Sequence, residues 1–455
     1  MPTKTNIHFE ISERKLLLRF LDVALVLLSL HFVGVVFDFR YFTISHERWV
    51  WSLILGGYIL FFGAVFEIYN LKKSSDFFTI LKGIILTSSI TLLVYLLTPY
   101  FTPSLPESRI QILFFYLAMI GAMSFGRLGY ILLINSPRFV KNIILIADEN
   151  RLKTIEKNFS HADTNYRIKH FINASQLISK TTINRSELPS NLTDGIDEIV
   201  VTNSSGFSSA ALYNDLLNLF NQGVVIKEYA QIYETLFGRV YVDFKDNQLY
   251  KQFPFSEHNV MPIYRFAHRL FDILISLIGL LGLSVLIPFL ILLNSVANKG
   301  PLFYIQERVG KRGELFKIYK LRSMVVNAEK NGAVWAKKND MRITKFGKFL
   351  RKTRLDEFPQ FFNILKGEMS VIGPRPERPV FVEELSKEIP FYPTRHIIKP
   401  GLTGWAQVNT SYGASVEDSL TKLQYDLYYV KHRNVFLDLN IVIKTMSTII
   451  FYRGQ

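Results

Sequence analysis

Cysteine is absent from all 455 residues, which excludes disulfides, thiolate metal sites and a cysteine nucleophile. Acidic side chains are also in short supply: 38 Asp and Glu stand against 53 Lys and Arg, a net charge of +15. A disordered composition is lacking too, since 49% of residues are hydrophobic and 14% aromatic, an apolar share too high for a disordered chain. The length suggests roughly three domains with sizeable cores. A chain that is both apolar and basic points to two surroundings, a bilayer interior and an anion. Composition leaves open whether that anion is nucleic acid, lipid head groups or a phosphorylated substrate.

The first apolar run does not read as a cleavable signal, because it is too long and no small-residue cleavage site follows it. What is present is a series of apolar blocks: Leu16–Phe37, Val50–Tyr69, Phe77–Thr98 and Ile110–Ile134. Each matches the roughly 20 residues of a membrane helix, so residues 1–138 read as four transmembrane helices. Lys4, Arg14 and Lys15 precede the first block, Lys72 and Lys73 follow the second, and Arg138 and Lys141 follow the fourth. Arg40 and Arg48 in the first outward loop weaken this asymmetry without reversing it, so both ends of the unit face the cytoplasm. Arg19, Lys82 and Arg127 lie near the basic ends of the spans, where long side chains can snorkel.

Residues 139–250 have the texture of a Rossmann-like α/β domain. Asn142–Ala147, Glu198–Val201 and Val224–Glu228 read as buried parallel strands, with helices over Asn150–Phe159 and Ser209–Phe220. The glycine-rich turn that lets a pyrophosphate approach the backbone is lacking, because Asp148, Glu149 and Asn150 follow the first strand. A structural or regulatory role is expected for this domain. A linker at 251–263 leads to a final domain at 264–455. This domain opens with a fifth apolar block, Leu270–Leu293, which contains Ser284 and Pro288. The block is either a fifth span or a broken helix that enters and leaves on one face, since proline removes a backbone hydrogen bond and bends the helix.

Between Lys299 and Gln360 stand 16 Lys and Arg against 6 Asp and Glu, a net +10. Asp356 and Glu357 sit at its end, ahead of Pro359 and of Gly367, residues that suit a helix start and stop. One reading makes the pair helix caps. The other places an ionised carboxylate beside Arg351 and Arg354, facing a phosphate site. Such a carboxylate can attack phosphorus, and the paired hard oxygens suit Mg²⁺ on a diphosphate.

The motifs that follow carry a resemblance. Gln306–Gly310 (QERVG), Tyr319–Met324 (YKLRSM), Leu355-Asp356-Glu357, Asn363–Ser370 (NILKGEMS), Gly373–Pro376 (GPRP) and Pro400–Val408 (PGLTGWAQV) occur in this order. Together they resemble the bacterial polyprenyl-phosphate sugar-1-phosphate transferases, the monotopic phosphoglycosyl transferases. The four spans and α/β domain resemble the large exopolysaccharide-type members. The resemblance implies transfer of sugar-1-phosphate from a nucleotide-diphosphate sugar, such as a UDP-sugar, to undecaprenyl phosphate, with Mg²⁺ as cofactor. It makes Asp356 the nucleophile and Glu357 its partner at the metal. It assigns Arg322, Arg351 and Arg375 to the phosphates, with Lys320 as a weaker candidate. Trp405 is expected to pack a loop.

The resemblance also implies a re-entrant helix over about 266–294, broken near Ser284 and Pro288, with the enzyme on the cytoplasmic face of the bacterial inner membrane. The expected fold is thus a multi-domain membrane protein: a four-helix transmembrane unit, a Rossmann-like α/β domain and a mostly α catalytic domain. Phe436–Tyr452 reads either as an interfacial amphipathic helix or as a packed one. The expected partners are the nucleotide sugar, the lipid phosphate and the bilayer. Nucleic acid is not expected, and a homo-oligomer is left open. The alternative is a non-catalytic membrane-anchored assembly or regulatory protein.

Overall fold

The computed structural model describes residues 11–39, 41–43, 49–70, 77–98, 100–103, 105–133, 141–161, 166–173, 196–202, 216–217, 220–221, 223–242, 261–328, 340–410, 413 and 415–451. The chain divides into two units, Met1–Ile232 and Tyr233–Gln455.

In the first unit, α1 (Ile11–Val36), α2 (Trp49–Val65), α3 (Phe77–Leu97) and α4 (Arg109–Leu133) correspond to the four apolar blocks. α1, α3 and α4 are long and apolar enough to cross a membrane. α2 has 17 residues, about 26 Å of helix, and is slightly short for a bilayer core of about 30 Å. Apolar side chains such as Leu18, Ile59, Ile84 and Met119 form the bundle core. Arg127 does not snorkel. It is buried, and its guanidinium lies 2.8 Å from Asp22 and donates to the Ile68 carbonyl at 3.2 Å. A charge this far from water persists only when paired, so the ion pair ties α4 to α1.

The rest of this unit contains a four-stranded parallel sheet in the order β2-β1-β3-β4, built from β1 (Lys141–Ala147), β2 (Tyr166–Asn173), β3 (Glu198–Val201) and β4 (Val225–Glu228). The three strands expected from sequence are present, and β2 is an addition. Its polar composition, YRIKHFIN, hid it from a search for apolar runs. α5 (Glu149–His161) follows β1 directly. The helix expected over Ser209–Phe220 and the linker at 251–263 lie largely outside the described residues.

The second unit begins inside α6 (Tyr229–Phe237). Residues 233–242, expected in the α/β domain, pack in this unit instead. Val240 and Val242 join Leu385, Ile389, Leu423 and Leu427 in one core, and the Trp405 indole donates to the Gly238 carbonyl at 2.6 Å. Trp405 is therefore a packing residue, as expected.

The fifth apolar block is α7 (Pro262–Ala297), 36 residues and about 54 Å long. It runs unbroken through Ser284 and Pro288, so the interruption expected there is absent from the helical backbone. The Ser284 hydroxyl donates to the Leu281 carbonyl at 2.7 Å. Near the start of α7, Arg269 donates to the Ile364 and Leu365 carbonyls, and Asp272 accepts from Ser370 and the Val371 amide. Near its end, Asn294 donates to the Gly300 carbonyl. Leu283 and Leu290 lie between and pack with Leu321, Phe346 and Leu350, each contributing about 1.5–3 kcal/mol of burial. Leu274, Leu281, Val285 and Phe289 are exposed. α7 is also long and apolar enough to cross a membrane.

The remaining elements are short. β5 (Phe303–Val309) and β6 (Leu315–Leu321) form an antiparallel hairpin, and β7 (Ser370–Ile372) pairs in parallel with β8 (Gly401–Thr403). α8 (Lys345–Lys352), α9 (Gln360–Lys366), α10 (Pro379–Glu388), α11 (Trp405–Asn409), α12 (Val416–His432) and α13 (Val435–Ile450) complete the unit. α13 answers both readings of its sequence: Ile441 is in the core, while Phe436, Leu439 and Ile449 are exposed. Gly373, Gly401 and Gly404 meet where β7 and β8 end. A Cβ on Gly401 would stand 2.1 Å from the Gly373 nitrogen, so the motif glycines are needed for backbone contact.

Candidate functional site

Asp356 does not cap a helix. It sits in a 3₁₀ turn, Leu355–Glu357, and the following helix α9 starts at Pro359 and Gln360 without a side-chain cap. Arg354, just before the turn, has a left-handed backbone (φ 57°), a conformation that strains a non-glycine residue. Asp356 and Glu357 are both buried, each 8% exposed. Asp356 Oδ1 is buried with no hydrogen-bond partner. The capping reading therefore fails, and a carboxylate oxygen is left available to something else.

Glu357 gathers the cations. Arg375 donates to Glu357 Oε1 at 2.8 Å, and Lys320 Nζ and Arg354 Nη1 each stand 3.9 Å from the same oxygen. Burial opposes the charged form of Glu357, but Arg375, Lys320 and Arg354 together outweigh it and hold the carboxyl below its usual range. Asp356 moves the other way. Burial, reinforced by the charge of Glu357, pushes it up to about 6 against the pull of Lys320, Arg351 and Arg354. Burial and the nearby Arg375 lower Lys320 to about 8. Two adjacent carboxyls with opposite shifts mark separate tasks, one holding cations and one available for reaction.

The sequence-predicted residues do not all meet. Asp356, Glu357, Lys320 and Arg375 do. Arg351 is on α8, where its Nε donates to the Ser323 hydroxyl at 2.9 Å and its charge acts on Asp356. Arg322 is not brought to the carboxylates. Its guanidinium, 6% exposed, donates to the carbonyls of Pro301, Asn298 and Met324, pinning the turn after α7. Ser284 and Pro288 lie in α7 away from this cluster.

Two further arginines support the site. Arg308 shares a face of the hairpin with Lys320, because Tyr304 pairs with Lys320 and residues two apart point the same way. It donates to the Pro376 carbonyl at 3.0 Å, and counting by two from Lys320 across the hairpin would have found it. Arg395 lies 2.7 Å from Asp426 and donates to the Arg375 carbonyl at 3.0 Å. Its distance in sequence gave no signal. Asn363, fully buried, donates to the Lys317 carbonyl and accepts from the Tyr319 amide, holding α9 against β6 beside Lys320.

The motif-bearing residues coincide with a known family pattern: the family model described as bacterial sugar transferase matches residues 263–452. A Bacillus subtilis (strain 168) protein, provisionally named as an undecaprenyl-phosphate N-acetylgalactosaminyl 1-phosphate transferase, is 54% identical over 132 residues, 29% of this chain and 74% of its own length. The chain belongs to the bacterial sugar transferase family. Among other members, the UDP-N-acetylgalactosamine-undecaprenyl-phosphate N-acetylgalactosaminephosphotransferase of Aeromonas hydrophila is 47% identical over 221 residues. The UDP-glucose:undecaprenyl-phosphate glucose-1-phosphate transferase of Klebsiella pneumoniae is 41% identical over 180 residues. These matches cover 48% and 39% of this chain, and the chain spans about half (51%) and 39% of those relatives' lengths. For the bacterial sugar transferase fold, the matched region contains the whole Asp356 cluster.

Among the described residues no group of three or more Asp, Glu or His gathers as metal ligands. The hard, unpartnered Asp356 oxygen still fits Mg²⁺, which commonly takes one or two carboxylates and fills its shell with substrate phosphates and water.

Proposed function

We propose that the protein transfers sugar-1-phosphate from a UDP-sugar to undecaprenyl phosphate, working at the cytoplasmic face of the bacterial inner membrane. The observation that carries this reading is the buried, unpartnered Asp356 oxygen beside a cluster of cations anchored on Glu357.

In the first step Asp356 attacks the phosphorus that bears the sugar. The bond to the nucleotide phosphate breaks, UMP leaves, and the sugar phosphate is held on Asp356 as an acyl phosphate. In the second step an oxygen of undecaprenyl phosphate attacks the same phosphorus and the Asp356 carboxylate departs. Arg375 and Lys320 neutralise charge on the phosphoryl oxygens, and Arg351 holds the nearby field positive. Arg395 positions Arg375 through its carbonyl. Asp356 and Glu357 would hold Mg²⁺, which supplies charge neutralisation to a bound diphosphate.

The placement of α7 supports the membrane part of this reading. Both ends of α7 bond within the same C-terminal unit, and a bend at Pro288, which lies inside the helix, would let it enter and leave on one face. The similarity to two N-acetylgalactosamine-named relatives makes UDP-N-acetylgalactosamine the first donor to try.

The experiment supplies candidate UDP-sugars with undecaprenyl phosphate and Mg²⁺ to membrane-inserted protein and follows UMP. Wild type should release UMP, and Asp356→Asn should lose at least about 10³-fold in rate while inserting normally. An unimpaired Asp356→Asn protein, or no release with any donor, would refute the reading.

A further inference from the structure

A second cleft lies at the foot of α7, away from Asp356 and Glu357, with a volume of about 160 Å³. Arg265, Arg269, Lys311, Lys399, Arg433 and His268 line it, and Asp272 is the one carboxylate in its wall. Asp272 is already engaged, since its Oδ1 accepts from the Ser370 hydroxyl at 2.9 Å and the Val371 amide at 2.8 Å. Arg269 spends two donors on the neutral carbonyls of Ile364 and Leu365, so its charge stays uncompensated. Among the described residues no carboxylate comes within 4 Å of Arg265, Lys399 or Arg433. Arg433 Nε is buried without a hydrogen-bond partner.

These cations repel one another in a partly desolvated space. Burial and the neighbouring Arg269 and Lys311 lower the Lys399 ammonium from its ordinary value, against the pull of Asp272. A fold does not collect such charge at no cost, and a bound anion would relieve it. Planar guanidinium forks beside an ammonium favour a phosphate over a halide.

The rim indicates where that phosphate comes from. Tyr264 on α7 donates to Asp438 on α13 at 2.7 Å, so the first turns of the two helices are joined at the cleft. On those turns Ile263, Phe266, Val435 and Phe436 are 75%, 71%, 59% and 84% exposed. Large apolar and aromatic side chains around a basic cleft are the signature of a head-group-depth surface.

We propose that this cleft binds the phosphate of an anionic membrane lipid at the foot of α7, separate from the reacting phosphates. The site anchors the domain at a fixed depth. It does not depend on the transferase reading, because its test measures lipid rather than turnover.

The full-length protein is placed in phosphatidylcholine nanodiscs doped with phosphatidylglycerol. It is then extracted in mild detergent, and retained lipids are counted by native mass spectrometry. Wild type should keep phosphatidylglycerol in preference to phosphatidylcholine. The Lys399→Gln, Arg433→Gln double variant should keep about tenfold less, from the loss of two charge-assisted contacts. Arg265→Gln, at an exposed position that leaves packing intact, should show a smaller loss in the same direction and serves if the double variant does not fold. Excess inorganic phosphate should leave the bound lipid in place; displacement would overturn the lipid assignment in favour of a soluble phosphate. Equal retention by wild type and all variants would overturn the site itself.

Discussion

Asp356 and Glu357 are neighbours in sequence with opposite electrostatic surroundings, and this sets a pH dependence. In the proposed mechanism Asp356 attacks only when ionised, so kcat/KM should fall as pH drops through about 6. Lys320 helps only when protonated, so the rate should also fall as pH rises through about 8. The profile is bell-shaped between them, with the acid limb belonging to the coupled pair. Lys320→Arg should move the alkaline limb upward and leave the acid limb in place. A flat alkaline limb in wild type would remove Lys320 from the mechanism. Arg375 and Arg322 separate in a different way. Arg375→Gln should cost about 10²–10³ in kcat/KM with little loss of stability. Arg322→Gln should cost about 2–4 kcal/mol of stability through its lost carbonyl contacts, and the folded fraction should turn over within about threefold of wild type. Thermal melts measured beside kinetics distinguish the two. In sequence these arginines looked alike, since the resemblance assigned both to the phosphates. Only the side-chain partners distinguish them: Glu357 for Arg375, and the carbonyls of Asn298, Pro301 and Met324 for Arg322.

At the scale of elements, the site depends on close packing of short pieces. Thr344 caps α8 through its side chain, accepting from the Gly347 amide at 2.9 Å, and α8 carries Arg351. Gly347 packs so tightly on Ser323, two residues past β6, that a Cβ would stand 1.8 Å from the Ser323 carbonyl oxygen. Gly347→Ala should therefore push α8 away from Ser323, break the Arg351–Ser323 contact and cost roughly 3 kcal/mol, comparable to severe overpacking. A melting temperature unchanged within error would contradict this packing. The apolar helices were legible in sequence because their length alone identifies them. β2 was not, since its residues are mostly polar. Pro288 lies inside a continuous helix between Leu283 and Leu290, which pack in the core, so the sequence located the proline while the helical backbone runs through it. Gly367 (φ 88°) ends α9 as its position suggested, while the start of that helix falls after Asp356.

For the whole molecule, the absence of cysteine becomes an experimental advantage. A single introduced cysteine is the only thiol in the chain, so its accessibility reports topology without background. Met261→Cys and Lys299→Cys flank α7 at exposed positions. With α7 entering and leaving on the cytoplasmic face, both should resist a membrane-impermeant maleimide in intact cells and react after permeabilisation. Labelling of Lys299→Cys alone in intact cells would make α7 a crossing helix. The excess positive charge also takes on a definite meaning at this scale. One part surrounds Asp356 and Glu357, and another collects at the foot of α7.

The central claim, that Asp356 carries the sugar phosphate during turnover, is tested most directly by withholding the acceptor. Wild-type protein is mixed with the donor and Mg²⁺ without undecaprenyl phosphate, then digested and examined by mass spectrometry. The account predicts UMP released in proportion to protein, and a hydroxylamine-sensitive sugar-phosphate adduct on the peptide containing Asp356. UMP release that begins only when the lipid acceptor is added, with no adduct on that peptide, would contradict it.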